Sequence, residues 1–263
     1  MTTVNDILQY METLAPRSMK MDWDNVGLLC GSRSQEVKKI FVALDPFEGV
    51  CREAAAWGAD LLVTHHPLIF QPTKSVTDED GVGRAILQLV RSGISAINAH
   101  TNLDCAPGGV NDVLAAKVGL SNVQVLNPSG VDDEGRPWGL IRSGEVEPMP
   151  LEAFLGRVKE ALGCDGLRYT DGGKPVCKVA VGGGACASSL WEVAHAGCDT
   201  LVTADVRYNQ FWDAKELGVN LIDAGHFATE NPVVPVLAAK LQAAFPDVEV
   251  KISENHADCM KFY

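Results

Sequence analysis

Positive charge is scarce in this chain of 263 residues: 22 Lys and Arg stand against 34 Asp and Glu, a formal net charge of −12. Sequence-independent attachment to nucleic acid or to an anionic membrane surface needs clustered positive charge, so neither partner is expected. No apolar run approaches the roughly 20 residues of a membrane-spanning helix. Met1 to Tyr10 mixes acidic and polar residues where a secretory signal would need an apolar stretch, so a cytoplasmic location is expected. Tracts rich in proline, glutamine or serine are missing as well. With 46% hydrophobic and 21% charged residues, the composition excludes a mainly disordered, collagenous or fibrous protein. The eight cysteines contain no C-x-x-C, so neither a zinc knuckle nor a thioredoxin-type motif is indicated, and most of them read as small core hydrophobes. Cys105, beside Asp104, is the exception to watch.

What is present is an alternation of short β-branched apolar runs with amphipathic stretches, the pattern of an α/β fold with crossover helices. Helices are expected over Val4 to Leu14, Glu48 to Trp57, Val82 to Arg91 and Gly109 to Val118, and strands over Ile40 to Leu44, Leu61 to Thr64 and Ile94 to Ala99. The length exceeds what one core usually needs. The stretch Asn127 to Pro137, with Pro-Ser-Gly and several acidic residues, is the best candidate for a boundary or a hairpin turn. Two lobes, 1–126 and 127–263, follow from the boundary reading, with the C-terminal segment free to return to the first.

An internal repeat supports two similar lobes. Val37 to Thr64 aligns without a gap on Val176 to Thr203, and 10 of the 28 positions are identical. Each copy is a helix, a Gly able to end it, an Asp and a hydrophobic strand. With one inserted residue the match continues: Gly93 to His100 and then Asp104 parallels Gly218 to His226 and then Glu230. A duplication, with a metal site between the lobes, is the expected architecture.

The chemistry lies in four pieces: Thr64-His65-His66-Pro67, His100-Thr-Asn-Leu-Asp104, Thr203-Ala-Asp205 and His226-Phe-Ala-Thr-Glu230. They contain four of the six histidines, with only His195 and His256 outside. All fall at expected carboxyl ends of strands, where open α/β sheets bind ligands. Imidazole and carboxylate donors without a thiolate suit Zn²⁺, Mn²⁺, Fe²⁺ or Co²⁺ in an open site rather than a closed structural zinc. His65 and His66 can each serve a different ion, with Asp104 and Glu230 bridging the pair, as in hydrolytic two-metal centres. One such histidine alone is usually a packing residue, and a His-x-x-x-Asp pair is often a helix cap; the weight comes from the set. Two further features stay open. Gly182-Gly183-Gly184 fits a tight turn better than a phosphate cradle, since it matches neither G-x-G-x-x-G nor the P-loop. Asp22-Trp23-Asp24 either lines the site or anchors the first helix.

Trp23-Asp-Asn-Val-Gly-Leu28, Thr64-His-His-Pro67, Ala99-His-Thr-Asn-Leu-Asp104 with Gly108-Gly-Val-Asn-Asp112, and Gly225-His-Phe-Ala-Thr-Glu230 together resemble the NIF-three-like family, often labelled GTP cyclohydrolase 1 type 2 homologues. The resemblance covers nearly the whole chain. It implies two similar α/β lobes, a dinuclear metal centre and a toroidal homohexamer. Carried over position by position, it makes His65, His66, Asp104, His226 and Glu230 the ligands of two divalent ions, and His100 a sixth ligand or a proton shuttle. The chain departs from the family in having Thr203-Ala-Asp205 and then Asn209, where Thr-Gly-Asp and a Tyr-His pair are usual. It also has His256 in place of the usual C-terminal Asn-Thr-Asp-Pro-Phe pattern, an extra polar group at the site mouth.

Two functions follow. The first is a metal-dependent hydrolase acting on a nucleotide or related small molecule, with His100 or Asp205 moving the proton. The second is a metal-binding scaffold or regulatory protein without turnover.

Overall fold

Local signals set the first helix. Thr3 and Asp6 close a capping box, the Thr3 amide donating to Asp6 Oδ2 at 2.8 Å and the Asp6 amide to Thr3 Oγ1 at 3.3 Å. Val4, Ile7, Leu8 and Met11 then bury one face at helical spacing. The structure, a computed structural model, describes residues 1–263. It runs through α1 (Val4–Leu14), β1 (Gly27–Cys30), β2 (Lys39–Ala43), α2 (Glu48–Trp57), β3 (Leu61–Thr64), α3 (Gly81–Ser92), β4 (Ser95–Asn98) and α4 (Thr101–Cys105). It continues through α5 (Val110–Lys117), β5 (Ser121–Leu126), β6 (Gly130–Val131), β7 (Pro137–Trp138), β8 (Ile141–Met149), α6 (Leu151–Leu162), β9 (Arg168–Thr170) and β10 (Val176–Val181). The remaining elements are α7 (Leu190–His195), β11 (Thr200–Thr203), α8 (Tyr208–Leu217), β12 (Asn220–Asp223), α9 (His226–Glu230), α10 (Val233–Ala244) and β13 (Glu249–Ile252).

The fold is α/β, with a separate sheet in each of two units. Unit 1 comprises Met1–Leu103 and Val234–Ala257, and unit 2 comprises Asp104–Val233 and Asp258–Tyr263. The first sheet has the order β1-β4-β3-β2-β13, in which only β1 is antiparallel to its neighbour. The second has the order β5-β8-β10-β11-β12-β9, with a parallel core of β10, β11 and β12. Strands β3, β4, β11 and β12 are buried along their whole length, as parallel strands covered on both faces should be.

The division therefore differs from a break at 126/127. Strand β5 pairs with β8, which assigns Ser121–Leu126 to the second sheet, and Asn127 to Pro137 contains the turn of the β6–β7 hairpin. The C-terminal β13 adds in parallel to β2, so this segment belongs to unit 1.

The duplication is visible in individual hydrogen bonds. Asp60 and Asp199, identical in the repeat, both accept from the opening amides of the adjoining strand. Asp60 Oδ2 takes Lys38 N and Lys39 N at 2.8 and 2.9 Å, and Asp199 Oδ2 takes Cys177 N and Lys178 N at 3.0 and 2.7 Å. The paired Lys39 and Lys178 donate from Nζ to the carbonyls of Trp57 and Ala196, again matching positions. Gly58 and Gly197 follow their helices at φ 78° and 75°, a left-handed conformation that glycine adopts at little cost.

No helix is long and apolar enough to cross a membrane. None of the eight cysteines forms a disulfide. Cys51, Cys105, Cys186 and Cys198 are buried, and the half-buried Cys30 packs against the core of the first unit; Cys164 and Cys177 are half-buried and Cys259 is exposed.

Candidate metal centre

In unit 1 the site residues leave the carboxyl ends of three neighbouring parallel strands. Asp45 follows β2, His65 and His66 follow β3, and His100 follows β4. The candidate ligand atoms of His65, His66 and His100 all lie within 4.8 Å of one another. Each ring is held through Nδ1. His65 engages the Ala99 carbonyl at 2.9 Å, His66 donates to Asp45 Oδ1 at 2.6 Å, and His100 donates to Asp24 Oδ1 at 2.8 Å. An imidazole anchored at Nδ1 presents Nε2 as its donor in a fixed direction, which is how proteins orient histidines for a metal ion.

Asp24 settles the reading of its loop, which lines the site. Its other oxygen accepts from the amide of Thr101 at 3.0 Å. Trp23 remains exposed and packs edgewise on Phe70 and on His100. Burial alone would raise the Asp24 carboxyl, but hydrogen bonds from His100 and Thr101 outweigh it and bring the pKa down to about 2. A carboxyl depressed in the folded state stabilises the fold above its unfolded pKa, and the contribution disappears as pH falls towards the folded value. Asp24→Asn should therefore cost the metal-stripped protein about 2 kcal/mol at neutral pH, a gap that narrows as pH drops from about 5 towards 2. Urea unfolding across that range checks it; a gap independent of pH would assign the loss to packing.

In unit 2, Asp104 lies on α4, while His226 and Glu230 open and close α9, one helical turn apart. His226 Nδ1 donates to Asp205 Oδ2 at 2.7 Å, and its Nε2 lies 3.0 Å from Glu230 Oε2. Asp205 takes a left-handed φ of 51°, a conformation that Asp tolerates better than most residues. The structure thus places Asp205 as the residue that orients His226. Asp104 and Glu230 are buried, at 5% and 3% exposure, which suits carboxylates compensated by cations and not by water.

The glycine run 182–184 is a close-approach turn. Gly184 has φ 62°, and a Cβ there would meet Glu230 Oε1 at 2.2 Å and the His226 ring at 3.1 Å. Asn111, from the Gly-Gly-Val-Asn-Asp motif, ties this turn to α4: its Nδ2 donates to the Asp104 carbonyl at 3.1 Å, and its Oδ1 accepts from Gly183 N at 2.7 Å. Asp112 in the same motif pairs with the fully buried Arg142.

The imidazoles of His65, His66 and His100 in unit 1 form a donor set able to hold a divalent ion, and His226 with Glu230 in unit 2 is an imidazole–carboxylate pair of the same ligand chemistry. The resemblance placed His256 at the site mouth; the structure puts its Nε2 on Asp45 Oδ2 at 2.7 Å. Asp45 and Arg142 belong to none of the motifs that mark the site in the sequence. The signal for Asp45 was its position two residues past the end of a parallel strand, the same place relative to the strand as His66 and Asp205.

A profile of the Duf34/NIF3 family (NGG1p interacting factor 3) matches residues 2–258. The chain is 35% identical over 262 residues to the GTP cyclohydrolase 1 type 2 homolog of Clostridium perfringens, covering 98% of this chain and 99% of that protein. Among solved structures, a Staphylococcus aureus hypothetical protein matches with a TM-score of 0.92 at 28% identity, covering 99% of both chains. A Bacillus cereus protein related to NIF3 matches with a TM-score of 0.93 at 25% identity, covering 100% of this chain and 99% of the other. A match that runs through nearly the whole chain, with the same fold in its solved relatives, makes this protein a member of the DUF34/NIF3 family.

Proposed function

We propose that the protein is a metal-dependent hydrolase in which His65, His66, Asp104, His226 and Glu230 hold two divalent ions. The observation that carries this reading is the anchoring of the histidines. His65, His66, His100 and His226 all engage a carbonyl or carboxylate through Nδ1, at 2.6 to 2.9 Å, and so present Nε2 as a donor. Packing alone gives no reason for four rings to be oriented alike. Bound there, Zn, Mn, Fe or Co would supply Lewis acidity that polarises an electrophile and acidifies water near neutral pH.

The chain's own groups supply the rest. His100, held by the buried Asp24 and only 14% exposed itself, serves as a sixth ligand or as the group that carries a proton at Nε2. Asp205, half exposed and bonded to His226, orients that ring and can pass a proton to solvent. The name of the relatives, GTP cyclohydrolase 1 type 2 homolog, supports a nucleotide or related small molecule as substrate. The family resemblance supports a homohexamer, which light scattering on purified protein tests directly. A metal-binding scaffold or regulatory role is the alternative, favoured by the partner interaction in the family's description.

Metal content per chain, measured by mass spectrometry on protein purified without chelator or nickel, tests the reading. Two ions per chain are expected in the wild type, lost or halved in Glu230→Ala. Absence of bound metal, with none taken up on reconstitution, would overturn it. Full loading without turnover across a broad metabolite panel would leave the scaffold.

A further inference from the structure

Asp45 is bonded on both carboxylate oxygens. Oδ1 accepts from His66 Nδ1 at 2.6 Å and Oδ2 accepts from His256 Nε2 at 2.7 Å. Both side chains are largely withdrawn from water, Asp45 at 14% and His256 at 10% exposure. The chain carries His256 there by extending β13 along β2, so that the segment after Ile252 leaves at the same strand ends as Asp45. That segment is itself clamped. Ser253 N donates to the Val42 carbonyl at 2.9 Å, Ser253 Oγ and Glu254 N donate to the Glu53 carboxylate at 2.5 and 2.9 Å, and His256 N donates to Ser253 Oγ at 3.2 Å. The Phe47 ring packs edgewise against the His256 imidazole, centroids 6.2 Å apart.

A carboxylate bonded on one side only can rotate and release its partner, whereas one held on both oxygens cannot turn without breaking both bonds. From this geometry we infer that His256 and Asp45 are a positioning pair that locks the tautomer and direction of the His66 ring, making the C-terminal segment a determinant of metal affinity. The inference rests on His66 being a metal ligand, as proposed above. Its distinctive feature is that a residue more than 200 positions after Asp45 in the chain acts on the ligand through a single carboxylate. Loss of such partners of a ligating histidine typically weakens metal binding about 10-fold to 100-fold.

Two measurements on the full chain test it: zinc affinity by chelator competition, and the tautomer of the His66 ring in the metal-free protein from its imidazole nitrogen shifts. His256→Ala should weaken zinc about tenfold and Asp45→Asn by up to about 100-fold. In both, His66 should pass from one tautomer to a mixture. His256→Gln, whose amide can donate to Asp45, should recover most of the affinity and the single tautomer. His195→Ala, at an exposed histidine of α7, should leave both unchanged. If alanine at 256 prevents folding, His256→Phe replaces it, filling the space without a donor. Wild-type affinity together with an unchanged His66 tautomer in the variant lacking the donor would overturn the inference. A wild type that takes up none of zinc, manganese, iron or cobalt would overturn the proposed function, while the tautomer series would still decide whether His256 positions His66.

Discussion

Arg142→Ala should lower the stability of the protein by about 3–5 kcal/mol, because it takes the donors of a buried guanidinium away from several acceptors and leaves a cavity. The Arg142 side chain is 2% exposed, and its guanidinium makes a network: Nε to Asp112 Oδ1 at 2.6 Å, Nη1 to the Gly139 carbonyl at 2.6 Å, and Nη2 to the carbonyls of Cys105 and Ala106 at 3.1 Å each. Truncation leaves one carboxylate and three carbonyls to be satisfied where alanine offers no donor, and it opens a cavity. Two of those carbonyls directly follow Asp104, so metal uptake should fall with stability. Arg142→Lys keeps the charge but not the planar fork and should land between the two. Urea unfolding followed in wild type and both variants reads the effect; a loss below about 1 kcal/mol would show that the network contributes little.

Gly184→Ala should lower the metal content per chain as far as Glu230→Ala does, although the substitution adds only a methyl group. The new Cβ would sit 2.2 Å from Glu230 Oε1, so the carboxylate has to move, and the left-handed φ of 62° adds strain of about 1–3 kcal/mol. The neighbouring turn residue, Gly183, keeps its own tie through the amide that Asn111 Oδ1 accepts. Loss of metal with a modest drop in melting temperature is therefore the expected pair of results. Metal content equal to wild type would mean that Glu230 has room to keep its donor in place, and that the glycine serves the turn alone.

Much of this was legible in the residues. Helices α1 and α2 and strand β3 end where the sequence places them, because a capping box, a following glycine and a β-branched run act within a few residues. The repeat was legible because Lys39, Gly58 and Asp60 perform local tasks that their copies Lys178, Gly197 and Asp199 perform again. The two copies have diverged at the candidate site. At the position of Asp45, which holds His66, the second copy has Gly184, which makes room for Glu230; at the position of His66 it has Asp205, which holds His226. Asp24, by contrast, lies 76 residues before the histidine it orients, in a loop with no periodic pattern to mark it. The extent of each unit was hidden for the same reason: β5 could have joined either sheet by composition, and its pairing with β8 decided.

The sequence by itself determined the α/β class, the duplicated strand-helix unit and the histidines and carboxylates of the candidate site, since each depends on residue type and on spacing within one or two elements. Only the tertiary structure decided which carboxylate holds which imidazole, that Arg142 is buried under the Asp104 segment, and that the C-terminal tail reaches Asp45. Those are contacts between residues distant along the chain, selected by which strands become neighbours, and hydrogen bonds acting over about 3 Å leave no periodic trace in a linear pattern of residues.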